Sequence, residues 1–146
     1  MKVVFLDIDG VLNHSAFLKH MPRNFSDLDM IDPKAVQLLN KLLEDTGANI
    51  VISSSWRIGH TVVHLQQLLT GAGLLFPERV IGTTTSRSNL ERGAEINIWL
   101  KQVPVDGFVI LDDDCDMNPL MDHLVQTDFE KGLQPEDIEK AKEILG

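Results

Sequence analysis

Three short apolar runs, each about as long as a β-strand, constrain the fold of this chain more than any other feature. They are residues 3–6, 49–52 and 108–111, and they are rich in β-branched and aromatic side chains. Strands of this kind are buried on both faces, as in a parallel sheet covered by helices. Weaker candidates for strands are residues 79–82 and 123–126.

Helical patterns alternate with these runs. The Asp32-Pro33 pair is typical of a helix start, and apolar residues then recur at helical spacing until Gly47. Similar patterns cover residues 60–72, 90–102 and 135–145. This alternation predicts an α/β fold, a three-layer, doubly wound parallel sheet with helices on both faces. Ligands of such folds bind beyond the carboxyl ends of the strands.

The length of the chain limits its domain organisation. With 146 residues, it suits a single domain over residues 1–146 and leaves no room for a large cap domain. Residues 13–31 have no clear period and include Pro22. Because a loop of this length in a compact domain is usually functional or mobile, we expect a flap near the site.

The net charge and the cysteine content indicate which binding partners and which cellular compartment suit the chain. The 13 Lys and Arg against 22 Asp and Glu give a formal charge of -9, which argues against nucleic-acid binding by bulk electrostatics. No apolar run approaches the ~20 residues that cross a bilayer, so no membrane partner is expected. The single cysteine, Cys115, fits a reducing compartment, with the cytoplasm as the default. We expect a monomer or a weak dimer.

Each of the three main runs is followed by polar residues. The first continues into Asp7-Ile8-Asp9-Gly10, the second into Ser53-Ser54-Ser55 and the third into an acidic stretch from Asp112 to Asp116. These segments meet at one edge if the strands are parallel neighbours. Carboxylates that lie within a few ångströms need a cation or shared protons. Hard oxygen ligands in a small acidic site favour Mg²⁺.

An acidic site of this kind suits a phosphorylated substrate. A bound Mg²⁺ offsets the local negative charge and polarises the phosphorus for attack. Asp7 and Asp9 are two residues apart in an extended segment, so they point to the same side. They suit the roles of nucleophile and general acid/base, and Gly10 allows a sharp turn directly after them.

The segment Phe5-Leu6-Asp7-Ile8-Asp9-Gly10-Val11-Leu12 resembles the first motif of the haloacid dehalogenase (HAD) superfamily of phosphotransferases. Residues 51–57 resemble its second motif, a strand that ends in Ser or Thr, and residues 109–114 resemble its fourth, a strand that ends in paired acids. Together with residues 92–100, they are most similar to small, capless phosphatase-like domains grouped with RNA-repair proteins, relatives of the phosphatase half of polynucleotide kinase-phosphatase. The resemblance extends from Lys2 to Gly146.

The resemblance implies a role for each acidic residue. Asp7 would be the nucleophile and a metal ligand. Asp9 would be the general acid/base and would place its main-chain carbonyl on the metal. Asp113 best matches the position that binds Mg²⁺ directly or through water, with Asp112 as the competing assignment.

The resemblance also implies groups that bind the phosphate. Ser53 would hold the transferring phosphoryl group, with Ser54 as its neighbour or substitute. The third motif of the superfamily is a single Lys or Arg. Lys101 lies near the far end of a predicted helix, whereas Arg92, close to the start of that helix, is better placed and supplies a fixed, forked positive charge. Less favoured candidates are Arg57 and Arg87.

Several of these residues also have simpler interpretations. The serines at 53–55 are suited to capping a helix that carries Trp56, and Arg92 is suited to pairing with Glu91 or Glu95 on its own helix. Trp56 itself is interpreted as core or rim packing, and residues 13–14 are not assigned to the site.

These features predict a Mg²⁺-dependent phosphomonoester hydrolase that works through an aspartyl-phosphate. By analogy with capless relatives, the expected substrate is a nucleotide or a nucleic-acid end phosphate, and a small phosphorylated metabolite is the alternative. An alternative of another class is a regulatory or binding module that keeps the metal site with little turnover. A receiver-like domain fits the Asp-x-Asp-Gly order less well.

Overall fold

The computed structural model describes residues 1–86 and 89–146, and its named strands form one parallel sheet. The strand order is β3-β2-β1-β4-β5. The strands are β1 (Lys2–Leu6), β2 (Asn49–Ile52), β3 (Val80–Thr83), β4 (Gly107–Asp112) and β5 (Leu124–Gln126). All five predicted strands are confirmed, with bounds that differ by at most one residue from the apolar runs.

Helices connect these strands. They are α1 (Ser15–Leu18), α2 (Pro33–Thr46), α3 (Val62–Gly71), α4 (Arg92–Gln102) and α5 (Pro135–Leu145). Short 3-10 turns occupy Leu28–Met30, Ser55–Arg57, Pro77–Arg79 and Met121–His123. The four predicted helices are confirmed, and α1 is an addition inside the stretch predicted to be a loop.

The helix ends follow from local chemistry. The Asp32 side chain accepts a hydrogen bond from the Lys34 amide at 3.0 Å and so starts α2. Gly47, with φ of 69°, ends that helix in the left-handed region. The start of α3 lies two residues after the predicted start at residue 60, because the Thr61 hydroxyl accepts from the His64 amide at 3.0 Å.

The sheet separates two apolar clusters. On one face, strand residues pack with α2, α3 and α5; they include Val4, Leu6, Ile50, Ile52, Val109 and Leu111. On the other face, strand residues pack with Ile96, Trp99 and Leu100 of α4; they include Val3, Phe5, Val51 and Ile110. Alternate strand residues therefore face different layers, which confirms the three-layer α/β fold. Within residues 1–86 and 89–146 the structure has no cap domain.

None of the helices in the described part of the chain is long and apolar enough to span a membrane.

The register of the central strands brings their carboxyl ends to one level. Leu6 of β1 pairs with Ile52 of β2 and with Leu111 of β4. Just beyond them, the Asp7 amide donates to the Leu111 carbonyl at 3.0 Å, and the Ser53 amide donates to the Leu6 carbonyl at 2.8 Å. The polar residues that follow three separate strands therefore lie side by side.

Helix α4 begins in close contact with the loop that follows β4. The Gly93 amide donates to the Asp116 carbonyl at 3.0 Å. A Cβ atom at Gly93 would lie 2.4 Å from the carbonyl carbon of Met117 and 2.6 Å from its Cα. These are backbone atoms, so only a residue without a side chain allows this approach.

We predict that Gly93→Ala lowers the free energy of unfolding by about 1–3 kcal/mol, the usual cost of overpacking. Urea titration measures the change. Gly82→Ala is the matched control, since a Cβ at Gly82 in β3 meets nothing within 4 Å. An unfolding midpoint for Gly93→Ala equal to that of the control would contradict this account of the packing.

Candidate active site

Three carboxylates converge where β1 and β4 end. Asp7, Asp112 and Asp113 each place a carboxylate oxygen within 4.8 Å of the others. Asp7 and Asp112 are buried, and Asp113 is half-buried. Asp112 and Asp113, the two alternatives for the further metal ligand, therefore lie at the same place. Both are close enough to share one ion with Asp7.

Burial sets the electrostatics of this cluster. Desolvation raises the pKa of Asp7 to about 6, partly offset by the charge of Arg92 and by hydrogen bonds to its carboxylate. Desolvation, together with the neighbouring charge of Asp7, raises the pKa of Asp112 to about 8. With only the Arg92 guanidinium nearby, these two adjacent buried acids do not both ionise at neutral pH. At neutral pH the Asp7–Asp112 pair therefore keeps one proton unless a further positive charge, such as a bound cation, replaces it.

The donor set fits a small divalent cation. Every candidate ligand is a carboxylate oxygen, the hard donor that Mg²⁺ takes in proteins. Burial raises the pKa values of Asp7 and Asp112 even though Arg92 lies beside them, so a further positive charge at this place would stabilise their ionised forms. The arrangement agrees with the Mg²⁺ binding that is general in the HAD superfamily.

Arg92, the first residue of α4, supplies positive charge beside the carboxylates. Its Nη1 lies 3.6 Å from Asp7 Oδ1 and 3.7 Å from Asp112 Oδ2. The same nitrogen donates to the main-chain carbonyl of Ser53. The structure thus places Arg92 at the strand ends, whereas Lys101 lies in the last turn of α4.

Arg57 has a different position. Its Nη2 lies 3.0 Å and 3.2 Å from the two carboxylate oxygens of Glu95, and its Nη1 donates to the Ser54 carbonyl at 2.6 Å. The Arg57 and Glu95 side chains are only 6% and 5% exposed. This buried pair joins the loop after β2 to α4. The remaining candidate, Arg87, lies outside the described residues.

The serines after β2 are both buried but have different partners. The Ser54 hydroxyl accepts from the Trp56 amide at 3.2 Å and caps the 3-10 turn Ser55–Arg57. Among the residues that the structure describes, Ser53 Oγ has no hydrogen-bond partner. Buried polar groups are rarely left without a partner. A bound phosphate oxygen would supply the acceptor that this hydroxyl lacks.

Asp9 follows Asp7 by two residues, but its carboxylate is not part of the three-acid cluster. It is held by two residues that the sequence did not assign to the site. Its Oδ1 accepts from Asn13 Nδ2 at 3.0 Å, and its Oδ2 accepts from Trp56 Nε1 at 3.2 Å. Trp56 is buried in the core, as the packing interpretation expected, but that interpretation missed its polar contact. The available signal was the indole N–H, which needs an acceptor when the ring is buried.

Gly10 makes the turn that follows Asp9. Its φ is 83°, and a Cβ atom here would lie 2.4 Å from Asp113 Cγ. Only glycine therefore allows the chain to turn at this point and still leave room for the Asp113 carboxylate.

Residues 13–31, the predicted flap, contact Asp9 through Asn13 and the loop after β2 through Asp27. Asn13 Nδ2 donates to the Met30 carbonyl at 3.1 Å. Asp27 Oδ2 lies 2.9 Å from His60 Nε2, and this contact raises the pKa of His60. The segment therefore adjoins the loop after β2, and a flap function stays a prediction.

The fold is that of a HAD-type α/β domain, and the acidic cluster lies at the carboxyl ends of its strands. A family model described as "HAD domain in Swiss Army Knife RNA repair proteins" matches residues 3–138, and the chain belongs to that family. This confirms the resemblance seen in the sequence and supports a phosphatase-type hydrolase in general. A search of curated proteins finds no match for the chain.

The raised pKa values of Asp7 and Asp112 predict that the stability of the metal-free protein depends on pH. Both acids have a folded pKa above their ordinary value of 3.8, so the folded state holds protons that the unfolded state releases. This contribution lowers stability as pH rises from about 4 to about 8. We predict that Asp112→Asn, in chelator, leaves the free energy of unfolding nearly unchanged at about pH 3.5, where the acid is mostly protonated in both states, and raises it above about pH 8 by at least ~1.4 kcal/mol, the equivalent of one pKa unit.

Denaturant titration at both pH values measures this difference. The control is Asp122→Asn, which changes an exposed acid in the turn before β5. Added Mg²⁺ should reduce the gain, because a cation compensates the same charge. A gain of equal size at both pH values would contradict the electrostatic explanation.

Proposed function

We propose that this chain is a Mg²⁺-dependent phosphomonoester hydrolase that works through an aspartyl-phosphate on Asp7. The observation that carries the proposal is the convergence of Asp7, Asp112 and Asp113 beside Arg92. A cation site next to a fixed guanidinium is suited to a phosphoryl group, whose charge develops on its equatorial oxygens.

In the first step a carboxylate oxygen of Asp7 attacks phosphorus in line. The bond from phosphorus to the leaving oxygen breaks, and the proton on Asp9 passes to that oxygen. Ser53 Oγ and the Arg92 guanidinium donate to the phosphoryl oxygens during this transfer.

In the second step water attacks the phosphorus of the aspartyl-phosphate and gives a proton to Asp9. The bond from phosphorus to the Asp7 oxygen then breaks, which releases phosphate and restores the starting state. Asp7, Asp113 and the Asp9 carbonyl would hold Mg²⁺, with Asp112 close enough to contribute. A bound Mg²⁺ would supply charge neutralisation at the phosphoryl group.

The proposed substrate is a nucleotide or a nucleic-acid end phosphate. Two observations support it: the family model is that of RNA repair proteins, and no cap domain is seen in the described part of the chain. With a formal charge of -9, contacts should be confined to the terminal phosphate and its nearest neighbours. We place the activity in the cytoplasm, since an exposed, free Cys115 fits a reducing compartment. A monomer or weak dimer stays a prediction.

We predict that Asp7→Asn lowers turnover by at least about 10³-fold, because it removes the nucleophile. Phosphate release from an aryl phosphate, with Mg²⁺ or with chelator, measures the effect. Asp122→Asn again serves as the control. Wild-type turnover by Asp7→Asn, or activity indifferent to both chelator and Mg²⁺, would refute the assignment.

We further predict that 3′- or 5′-phosphorylated oligonucleotides and nucleotides are hydrolysed in preference to small sugar phosphates. The slope of log kcat/KM against log salt should be no steeper than about -2, which corresponds to roughly three single-strand phosphates. Activity confined to small esters would favour a metabolite phosphatase. The absence of turnover on every ester would favour a binding module.

A further inference from the structure

We propose that Trp56 and Asn13 are positioning residues, which hold the Asp9 carboxylate in the orientation that serves proton transfer. The inference rests on the acid/base role given to Asp9 in the proposed function. It goes beyond that role because it assigns a part in the reaction to a core tryptophan and to a buried asparagine.

The geometry of Asp9 carries the inference. Asn13 donates to one carboxylate oxygen at 3.0 Å and Trp56 donates to the other at 3.2 Å. Two donors on two different oxygens fix both the direction and the plane of the group. A carboxylate has about four lone-pair sites, so these bonds leave one site free on each oxygen. The free sites are available for the proton and for the leaving oxygen or the attacking water.

Asn13 is itself held rigidly. It is fully buried, its Oδ1 accepts from the Gly10 amide at 2.9 Å, and its Nδ2 donates to both Asp9 and the Met30 carbonyl. The three partners fix the orientation of the amide, because the nitrogen faces two acceptors and the oxygen faces a donor. Asn13 thus connects the turn after Asp9 to the end of the predicted flap.

Trp56 is anchored on its other sides. The residue is 8% exposed and lies in the larger apolar cluster. Its amide donates to Ser54 Oγ at 3.2 Å, and its ring stacks on His60 with centroids 5.7 Å apart. The indole N–H therefore reaches Asp9 from a ring that is held on several sides, as a positioning group requires.

The dependence of rate on the leaving group separates positioning from a general structural role. Protonation of the leaving oxygen matters most for an alkyl phosphate, whose alkoxide is a strong base, and little for 2,4-dinitrophenyl phosphate. General acid catalysis contributes roughly 10²- to 10⁴-fold. The ratio kcat/KM reports transfer to Asp7 whichever step limits kcat, so it is the quantity to compare.

We expect Trp56→Phe, which keeps a packed ring and removes the N–H, to lower kcat/KM about 10- to 100-fold for an alkyl phosphate. The value for 2,4-dinitrophenyl phosphate should fall less than about 3-fold. Trp99→Phe is the matched control, since Trp99 packs edge-on against Phe5 in the other cluster, and it should retain both rates. Equal losses on the two esters, or no loss on either, would overturn the proposal.

A second measurement tests the contact without any turnover. The chain has two tryptophans, so the two Phe variants assign both indole N–H signals in a ¹H–¹⁵N spectrum. Asp9→Ala, which removes the acceptor and leaves Trp56 in place, should move the Trp56 indole signal upfield and leave that of Trp99 unchanged. An unmoved Trp56 signal would overturn the positioning role. If no ester is hydrolysed, the proposed function fails, and this signal still decides whether Trp56 holds Asp9.

Discussion

The structure depends on one costly arrangement, two acids buried next to each other at the ends of adjacent strands. The pairing of Leu6 with Leu111 leaves Asp7 and Asp112 side by side. Burial raises the pKa values of both acids, and the charge of Asp7 further raises that of Asp112, so the folded chain pays for the cluster in stability. A cost of this kind is expected where function requires charge to be held out of water. The surrounding contacts partly offset this cost.

Helix α4 supplies the positive charge beside the two acids. Its first residue, Arg92, lies within 4 Å of both acids, and its place is set by the close approach of Gly93 to the loop after β4. One turn further on, Glu95 pairs with Arg57 from the loop after β2. One short helix therefore ties together the loops that follow β2 and β4, on either side of β1. The positive charge is positioned by backbone packing, which tolerates less movement than a surface ion pair does.

The sequence predicts the strands and most helices because fully buried strands are continuously apolar and helix starts carry local caps. The placement of Asp7 and Arg92 at the strand ends is predictable for the same reason, since Asp7 directly follows β1 and Arg92 begins α4. The choice between Asp112 and Asp113 was not predictable, since it depends on how the chain turns after β4. The contacts of Trp56 and Asn13 with Asp9 depend on tertiary packing between β1 and β2. The short helix α1 has only four residues, too few to show a period.

An open site creates a particular difficulty for acid/base chemistry, because no closing domain is present in the described part of the chain to orient the reacting groups. In this structure, Asp9 accepts hydrogen bonds from Asn13, in the turn after β1, and from Trp56, in the 3-10 turn after β2. Asp9 is half-buried, so the protein does not cover the residue completely. Because these two residues already orient the carboxylate, no closing lid is needed for that purpose. The end of a long polymer can therefore reach Asp9 as readily as a small ester can. The positioning role of Trp56 and the proposed choice of substrate thus have the same structural origin.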